Sequence, residues 1–385
     1  MYTFSDLEKY LDTIPVKEKT PGGSMRVYHH GKEVFAYSFG HADREEGIKM
    51  TGDEYYFMYS ATKPLTCATA LAAYEEGAFL LAEPVWWYLP EFKDTQVKVY
   101  NPDCSYNLVP QKREMVIQDL FTMSAGLNYD TENAEIRKVA EQTNGKAPTR
   151  EVMRAIAKMP LEYQPRDRWA YSFGHDVLAG LVEVATGVRF SEYMKKKIFE
   201  PLGMTKSTFR VTDEIKEKMA QQYIFSYEKG ESLVKGKHNA YVFGSEYDSG
   251  GAGLITTIDD YGKFVNAMSC SGKAPNGNRI LSDLTVKLMG TNMLDEKRMQ
   301  QFSTWRNNCE YGYGLGVRTK IYEGWGGNLC ALGEFGWDGA AGSLCSIDPT
   351  NEIGIVYTQH MLNPHHEQIH PRIKMLVNLA LRTEK

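Results

Sequence analysis

Ser60 and Lys63 stand three residues apart in Phe57-Met58-Tyr59-Ser60-Ala61-Thr62-Lys63-Pro64. On a helix this spacing puts a hydroxyl and an amine on one face, which is the minimum equipment of a serine nucleophile that carries its own base. Pro64 fixes the register, because proline is tolerated only in a first turn, so the helix containing it must begin near Ser60. The Ser60 N–H is then left without an intrahelical partner and is open to an oxyanion. The same spacing recurs at Ser226/Lys229 and Ser232/Lys235, but the polar, glycine-containing stretch from Ser226 to Lys237 predicts a solvated loop. Ser60 differs from these in its flanks. It follows the aromatic run Tyr55-Tyr56-Phe57-Met58-Tyr59 and precedes Leu65, Ala68, Thr69, Leu71, Ala72 and Ala73, a largely buried helix.

A serine and a lysine need a proton relay and an oxyanion site before they can turn over. Tyr171, in Arg168-Trp169-Ala170-Tyr171-Ser172-Phe173-Gly174-His175, stands just before a predicted helix and is the candidate relay, although a tyrosine in such a place is more often a core residue. His360, His365, His366 and His370 invite a metal reading. They lack the H-E-x-x-H arrangement, and Pro364 and Pro371 interrupt them, so the expectation is a polar loop with no metal site and no cofactor.

The elements that must position these groups follow from periodicity. Ser5-x-x-Glu8 is a capping box, and Leu7, Leu11 and Ile14 predict an amphipathic helix ended near Pro15. Met25–His29 and Glu33–Phe39 flank His30-Gly31-Lys32 as a hairpin. Ser343–Ile347 and Ile353–Gln359 flank Asp348-Pro349-Thr350-Asn351 as another, before a closing helix with Ile369, Ile373, Leu376, Val377 and Ala380 on one face. Between them Tyr171–Ala185 is predicted helical with Gly187 as its left-handed terminator, and Ser191–Phe199 as a second helix stopped by Pro201 and Gly203. The result is an α+β fold in two lobes. Residues 1–60 plus 250–385 form an antiparallel sheet flanked by terminal helices, and residues 61–249 form an inserted, mainly helical lobe, with Ser60 at the junction.

Composition narrows the partners. Across 385 residues the net charge is −5 with 24% charged residues, so there is no basic field for nucleic acid or an anionic membrane. No run of about 18 apolar residues and no leader-like opening is present, which predicts a cytoplasmic address, and six scattered cysteines there are expected as reduced thiols.

Five segments occur in one order: Tyr59-Ser60-Ala61-Thr62-Lys63-Pro64, Ile117-Gln118-Asp119-Leu120-Phe121-Thr122-Met123-Ser124-Ala125-Gly126-Leu127, Tyr171-Ser172-Phe173-Gly174, Phe199-Glu200-Pro201-Leu202-Gly203-Met204 and Ser249-Gly250-Gly251-Ala252-Gly253-Leu254. Together, from about residue 20 to 360, the chain resembles the serine β-lactamase-related family, which includes class C β-lactamases, D-alanyl-D-alanine carboxypeptidases, D-aminopeptidases and family VIII carboxylesterases. The resemblance implies a β-lactamase/transpeptidase-like fold, Ser60 as acylated nucleophile, Lys63 as its activating partner and Tyr171 as general base and acid. It places the third motif at Trp337-Asp338-Gly339, with the Ser60 and Ala340 N–H groups as oxyanion hole and Phe173, Trp337 and Gly339 against substrate. Two departures set the substrate class. Phe173 replaces the usual asparagine of the second motif, and Trp337 stands where a cation normally helps hold a substrate carboxylate. Losing that charge-assisted contact costs about 1.5–3 kcal/mol, roughly tenfold to hundredfold in binding. The expectation is therefore a small ester or amide as substrate, with β-lactamase or D-peptidase activity as the alternative and a non-catalytic, acyl-trapped binder as the rival of another class.

Overall fold

The computed structural model describes residues 2–305, 308–324 and 326–382. Its main sheet contains strands β1 (Gly22–His29), β2 (Lys32–Asp43), β3 (Ile48–Lys49), β4 (Tyr311–Tyr313), β5 (Arg318–Lys320), β6 (Phe335–Asp338), β7 (Leu344–Asp348) and β8 (Ile353–Thr358), in the order β4-β5-β6-β7-β8-β1-β2-β3. Every pairing is antiparallel, and the two chain ends meet at its centre, with Ser24 opposite Thr358 and His29 opposite Ile353.

Alternation along the central strands sends residues to two different cores. Met25 and Val27 of β1 and Ile355 and Tyr357 of β8 face the terminal helices α1 (Ser5–Lys17) and α5 (His366–Arg382), where they meet Leu7, Leu11, Ile14, Ile369, Ile373 and Val377. Tyr28 and Val356, one residue out of phase, join the larger core on the other face. That core holds α2 (Thr62–Glu75), α3 (Gly174–Thr186) and α4 (Ile258–Ser269), the last packed on β1, β7 and β8. Among the described residues no helix is long and apolar enough to cross a membrane.

Several expectations need correction. Helix α1 runs through Pro15 to Lys17, because in a last turn the ring costs one hydrogen bond and its fixed φ still suits a helix. No capping box forms: Phe4 is the cap residue and no side chain bonds there. Ser226–Lys237 is not a loop but most of a hairpin, Gln222–Ser226 with Glu231–Lys235, and Ser232 is buried under Arg44. On an extended strand residues three apart point to opposite faces, so Ser232 and Lys235 cannot act as a pair. The segment after Ser191 continues beyond Pro201, through a π-helical stretch Lys195–Phe199 and a short turn Glu200–Leu202, to a left-handed Gly203. Two of the four histidines are not in a polar loop either. His360 and His370 are buried, with Nδ1 of His360 donating to the Ala220 carbonyl (2.9 Å) and Nε2 of His370 to that of Gly342 (3.1 Å).

Candidate active site

Ser60 lies in a single 3₁₀ turn, Tyr59–Ala61, inserted between the short strand Tyr55–Phe57 and α2. Tyr59 has φ +47°, a left-handed conformation that costs an L-residue about 1–2 kcal/mol. The residue is held there by its surroundings: Gln222 donates to its hydroxyl (2.7 Å), and Phe57 and Tyr241 pack edge-on against its ring. The kink turns Ser60 out of line with the strand. Its N–H, and that of Ala340, take no hydrogen bond among the described residues.

Helix α2 is clamped at its start by the Ser249–Leu254 segment. Leu254 N–H donates to Thr62 Oγ1 (3.1 Å), Lys63 Nζ donates to the Gly251 carbonyl (2.8 Å), and Thr66 Oγ1 donates to that of Gly250 (2.7 Å). Gly250 has to be glycine, since a Cβ there would sit 2.4 Å from the His175 carbonyl oxygen of α3. Lys63 is fully buried and lies 3.3 Å from Ser60 Oγ, with its ammonium 4.5 Å from the ring centroid of Tyr171 and 5.2 Å from that of Tyr129. Both rings are close enough for cation–π attraction.

Tyr171 comes from the extended stretch before α3. Its neighbours are tied to the segment Met123–Asn128 by Ala170 N–H to the Met123 carbonyl (3.0 Å) and Phe173 N–H to that of Asn128 (2.9 Å), so two of the sequence segments that occur together build one ledge. From this ledge the Tyr171 hydroxyl lies 2.6 Å from Ser60 Oγ. A hydroxyl between a phenol and an amine has a proton route on either side.

The remaining candidates separate. Trp337, 4% exposed, stacks nearly parallel to Tyr171 (5.9 Å, 7°) and to Trp305 (5.7 Å, 8°), so it forms a wall beside the phenol. Gly339 lies against the serine turn: a Cβ there would be 2.5 Å from the Met58 carbonyl oxygen. Ala340 sits with Tyr59 and Tyr241 in one apolar cluster. Phe173, expected against substrate, is 1% exposed and lies behind Tyr129 (4.7 Å), so it shapes the cleft without touching its contents. A residue that faces Lys63 and that the sequence reading did not include is Tyr129, two positions beyond the Ile117–Leu127 segment.

Two nearby titratable groups are kept neutral. Burial, then the charge of Lys63, pushes His175 down to about 3, while burial pushes the Cys67 thiol 3.6 Å from its Nε2 well above its ordinary value. Neither rivals Ser60 as nucleophile or base. Asp338, although burial opposes it, is held well below the usual carboxylate range by Arg318 (2.6 Å) and His370. A cleft of about 840 Å³ opens beside Tyr59, Tyr241 and Ala340 and extends past His238 to Leu362 and His366.

A family model described as Beta-lactamase matches residues 7–378. Protein Rv1367c of Mycobacterium tuberculosis is 28% identical over 347 residues, covering 87% of this chain and 84% of that protein. Esterase EstB of Burkholderia gladioli is 25% identical over 295 residues, with 68% and 69% covered. Among solved structures, simvastatin synthase (LovD) from Aspergillus terreus superposes with a TM-score of 0.83 at 20% identity over 100% of both chains, a likeness of fold.

Proposed function

Since this chain belongs to the beta-lactamase family, we propose that it is a serine hydrolase that cleaves small esters or amides through an acyl-enzyme on Ser60. The observation that carries the reading is the contact of Ser60 Oγ with both Tyr171 (2.6 Å) and the fully buried Lys63 (3.3 Å).

Ser60 Oγ attacks the substrate carbonyl and its proton passes to the Lys63–Tyr171 pair. The carbonyl oxygen, now negative, accepts from the Ser60 and Ala340 N–H groups. Collapse breaks the bond to the leaving alcohol or amine, which takes the proton from the pair. Water then adds to the acyl carbon, giving its proton back through the same pair, and Ser60 leaves as the free hydroxyl. Substrates without a carboxylate suit the Ser60 site best. Trp337, stacked beside Tyr171, stands where the family usually has a cation. Arg318 and Lys374, which line a smaller cavity behind it, are already engaged, the first with Asp338 and the second with Glu334 (3.6 Å) and the Tyr311 hydroxyl. The esterase named among the relatives is consistent with this preference.

The test is a substrate screen with Ser60→Ala as control. Turnover of p-nitrophenyl acetate or butyrate that falls at least about 10³-fold in the variant is the expected result. Turnover of nitrocefin in place of the esters would assign a β-lactamase. Stoichiometric labelling of Ser60 without turnover would assign a binder.

A further inference from the structure

Five residues after Tyr171, on the first turn of α3, Asp176 is 2% exposed, preceded by the buried His175 and followed by Val177, Leu178, Ala179 and Leu181. Its Oδ1 accepts from the Tyr247 hydroxyl (2.7 Å), the Ser249 hydroxyl (2.8 Å) and the Gly251 N–H (3.2 Å). Oδ2 has no hydrogen-bond partner among the described residues and sits 2.3 Å from where a Gly251 Cβ would lie, with the Tyr129 hydroxyl 3.0 Å from that same point. Among the described residues no lysine, arginine or histidine nitrogen lies within ion-pair distance of this carboxylate. A buried carboxylate so placed is costly unless something compensates it.

Gly251 links this carboxylate to the lysine: its N–H is held by Asp176 and its carbonyl accepts from Lys63 Nζ at 2.8 Å. Lys63 is itself fully buried and makes no ion pair among the described residues. The groups around the two are Tyr129, Tyr171, Tyr247, His175 and Cys67. His175 is held neutral and Cys67 is held as a thiol, and the next carboxylate, Asp248, is paired with Arg189 and Arg210. Lys63 and Asp176 are therefore two buried ionisable side chains without an ion-pair partner among the described residues, on opposite sides of one glycine.

We propose that Asp176 is a positioning residue of the reaction: it fixes Gly251 so that the Gly251 carbonyl holds Lys63 against Ser60. The same turn that delivers Tyr171 to one side of Ser60 thereby anchors Lys63 on the other. This rests on the assignment of Ser60, Lys63 and Tyr171 above, and the experiment separates the two.

Steady-state kinetics with p-nitrophenyl butyrate are measured for the wild type, Ser60→Ala and Asp176→Asn, each checked for folding by circular dichroism. Asparagine keeps the shape and removes the charge that strengthens the three hydrogen bonds of the carboxylate. With it, kcat falls roughly tenfold or more, as when a supporting partner of a functional group is removed, while KM stays within a few-fold. An unchanged kcat, or a loss confined to KM, overturns the role of Asp176. Full turnover by Ser60→Ala instead overturns the assignment of the site. If Asp176→Asn does not fold, Ser249→Ala, which strips one donor from the carboxylate, is expected to lower kcat with KM held, and an unchanged kcat overturns the proposal.

Discussion

Tyr171 carries two duties on one side chain, since its hydroxyl touches Ser60 while its ring lies parallel to Trp337 and Trp305. Tyr171→Phe keeps the stack and deletes only the proton relay, so kcat is expected to fall about 10²–10⁴-fold with KM within a few-fold and thermal stability nearly unchanged. Steady-state kinetics with a thermal melt checks this, and a KM effect in place of a kcat effect would make Tyr171 a substrate-binding residue. That Ser60, Lys63 and Tyr171 come together was legible in the chain because a motif needs only local spacing and a few companions. Tyr129 and Asp176 were not, because their contacts with Lys63 and Gly251 span 66 and 75 residues and exist only once α2 and α3 are packed. Asp176 stands in the first turn of α3, where an acidic residue suits the helix dipole, so nothing in the sequence sets it apart. Phe173 was misplaced for the converse reason, since a motif position tells which backbone it occupies but not which way a ring turns.

At the scale of elements, the serine turn and the end of β6 are pressed together at Gly339. Its missing side chain lets strand and turn approach, for a Cβ would meet Ser343 Oγ at 2.2 Å and the Met58 carbonyl oxygen at 2.5 Å. Gly339→Ala must push Met58 away and carry Ser60 with it. The expected loss is about 10²-fold in kcat/KM, the scale of a misplacement of roughly 1 Å, with about 1–3 kcal/mol of destabilisation from overpacking. Kinetics and a urea melt would show both, and wild-type kinetics would mean that the strand end does not set the nucleophile. The hairpins of the sheet and the closing helix were predictable from alternation and period, but Gln222–Ser226 and Glu231–Lys235 were not. Their residues are polar enough to pass for a loop, and what makes them strands is a place to lie: Tyr223 pairs beside Met361, and Ser232 is covered by Arg44.

For the molecule as a whole, acid is the exposed flank. Burial drives His360 down to about 4 and His175 to about 3, whereas both titrate near 6.5 when unfolded. Below 6.5 the unfolded chain therefore binds protons that the folded chain refuses. Their contribution to stability is complete above that pH and is lost as pH falls, through about 4 for His360, at up to about 1.4 kcal/mol per pH unit for each. Urea midpoints measured from pH 7 to 4 should decline, and His360→Gln should flatten the decline; an equally steep slope in that variant would place the acid sensitivity elsewhere.

The pairing of β1 with β8 sets a clock. Ser24 and Thr358 are 334 residues apart, and strand β1 lies between β2 and β8 in the finished sheet. At synthesis rates of roughly 5–20 residues per second, the hairpin of β1 and β2 waits on the order of tens of seconds for its second neighbour. Throughout that interval one edge of β1 is an open row of backbone donors and acceptors beside Met25 and Val27, a template for pairing with another nascent chain. Helices α2 and α3 emerge meanwhile, so the serine turn is made long before Gly339 arrives to close against it. Folding yield, more than equilibrium stability, should thus be governed by the last strands of the sheet and by how crowded the ribosomes are while they are awaited.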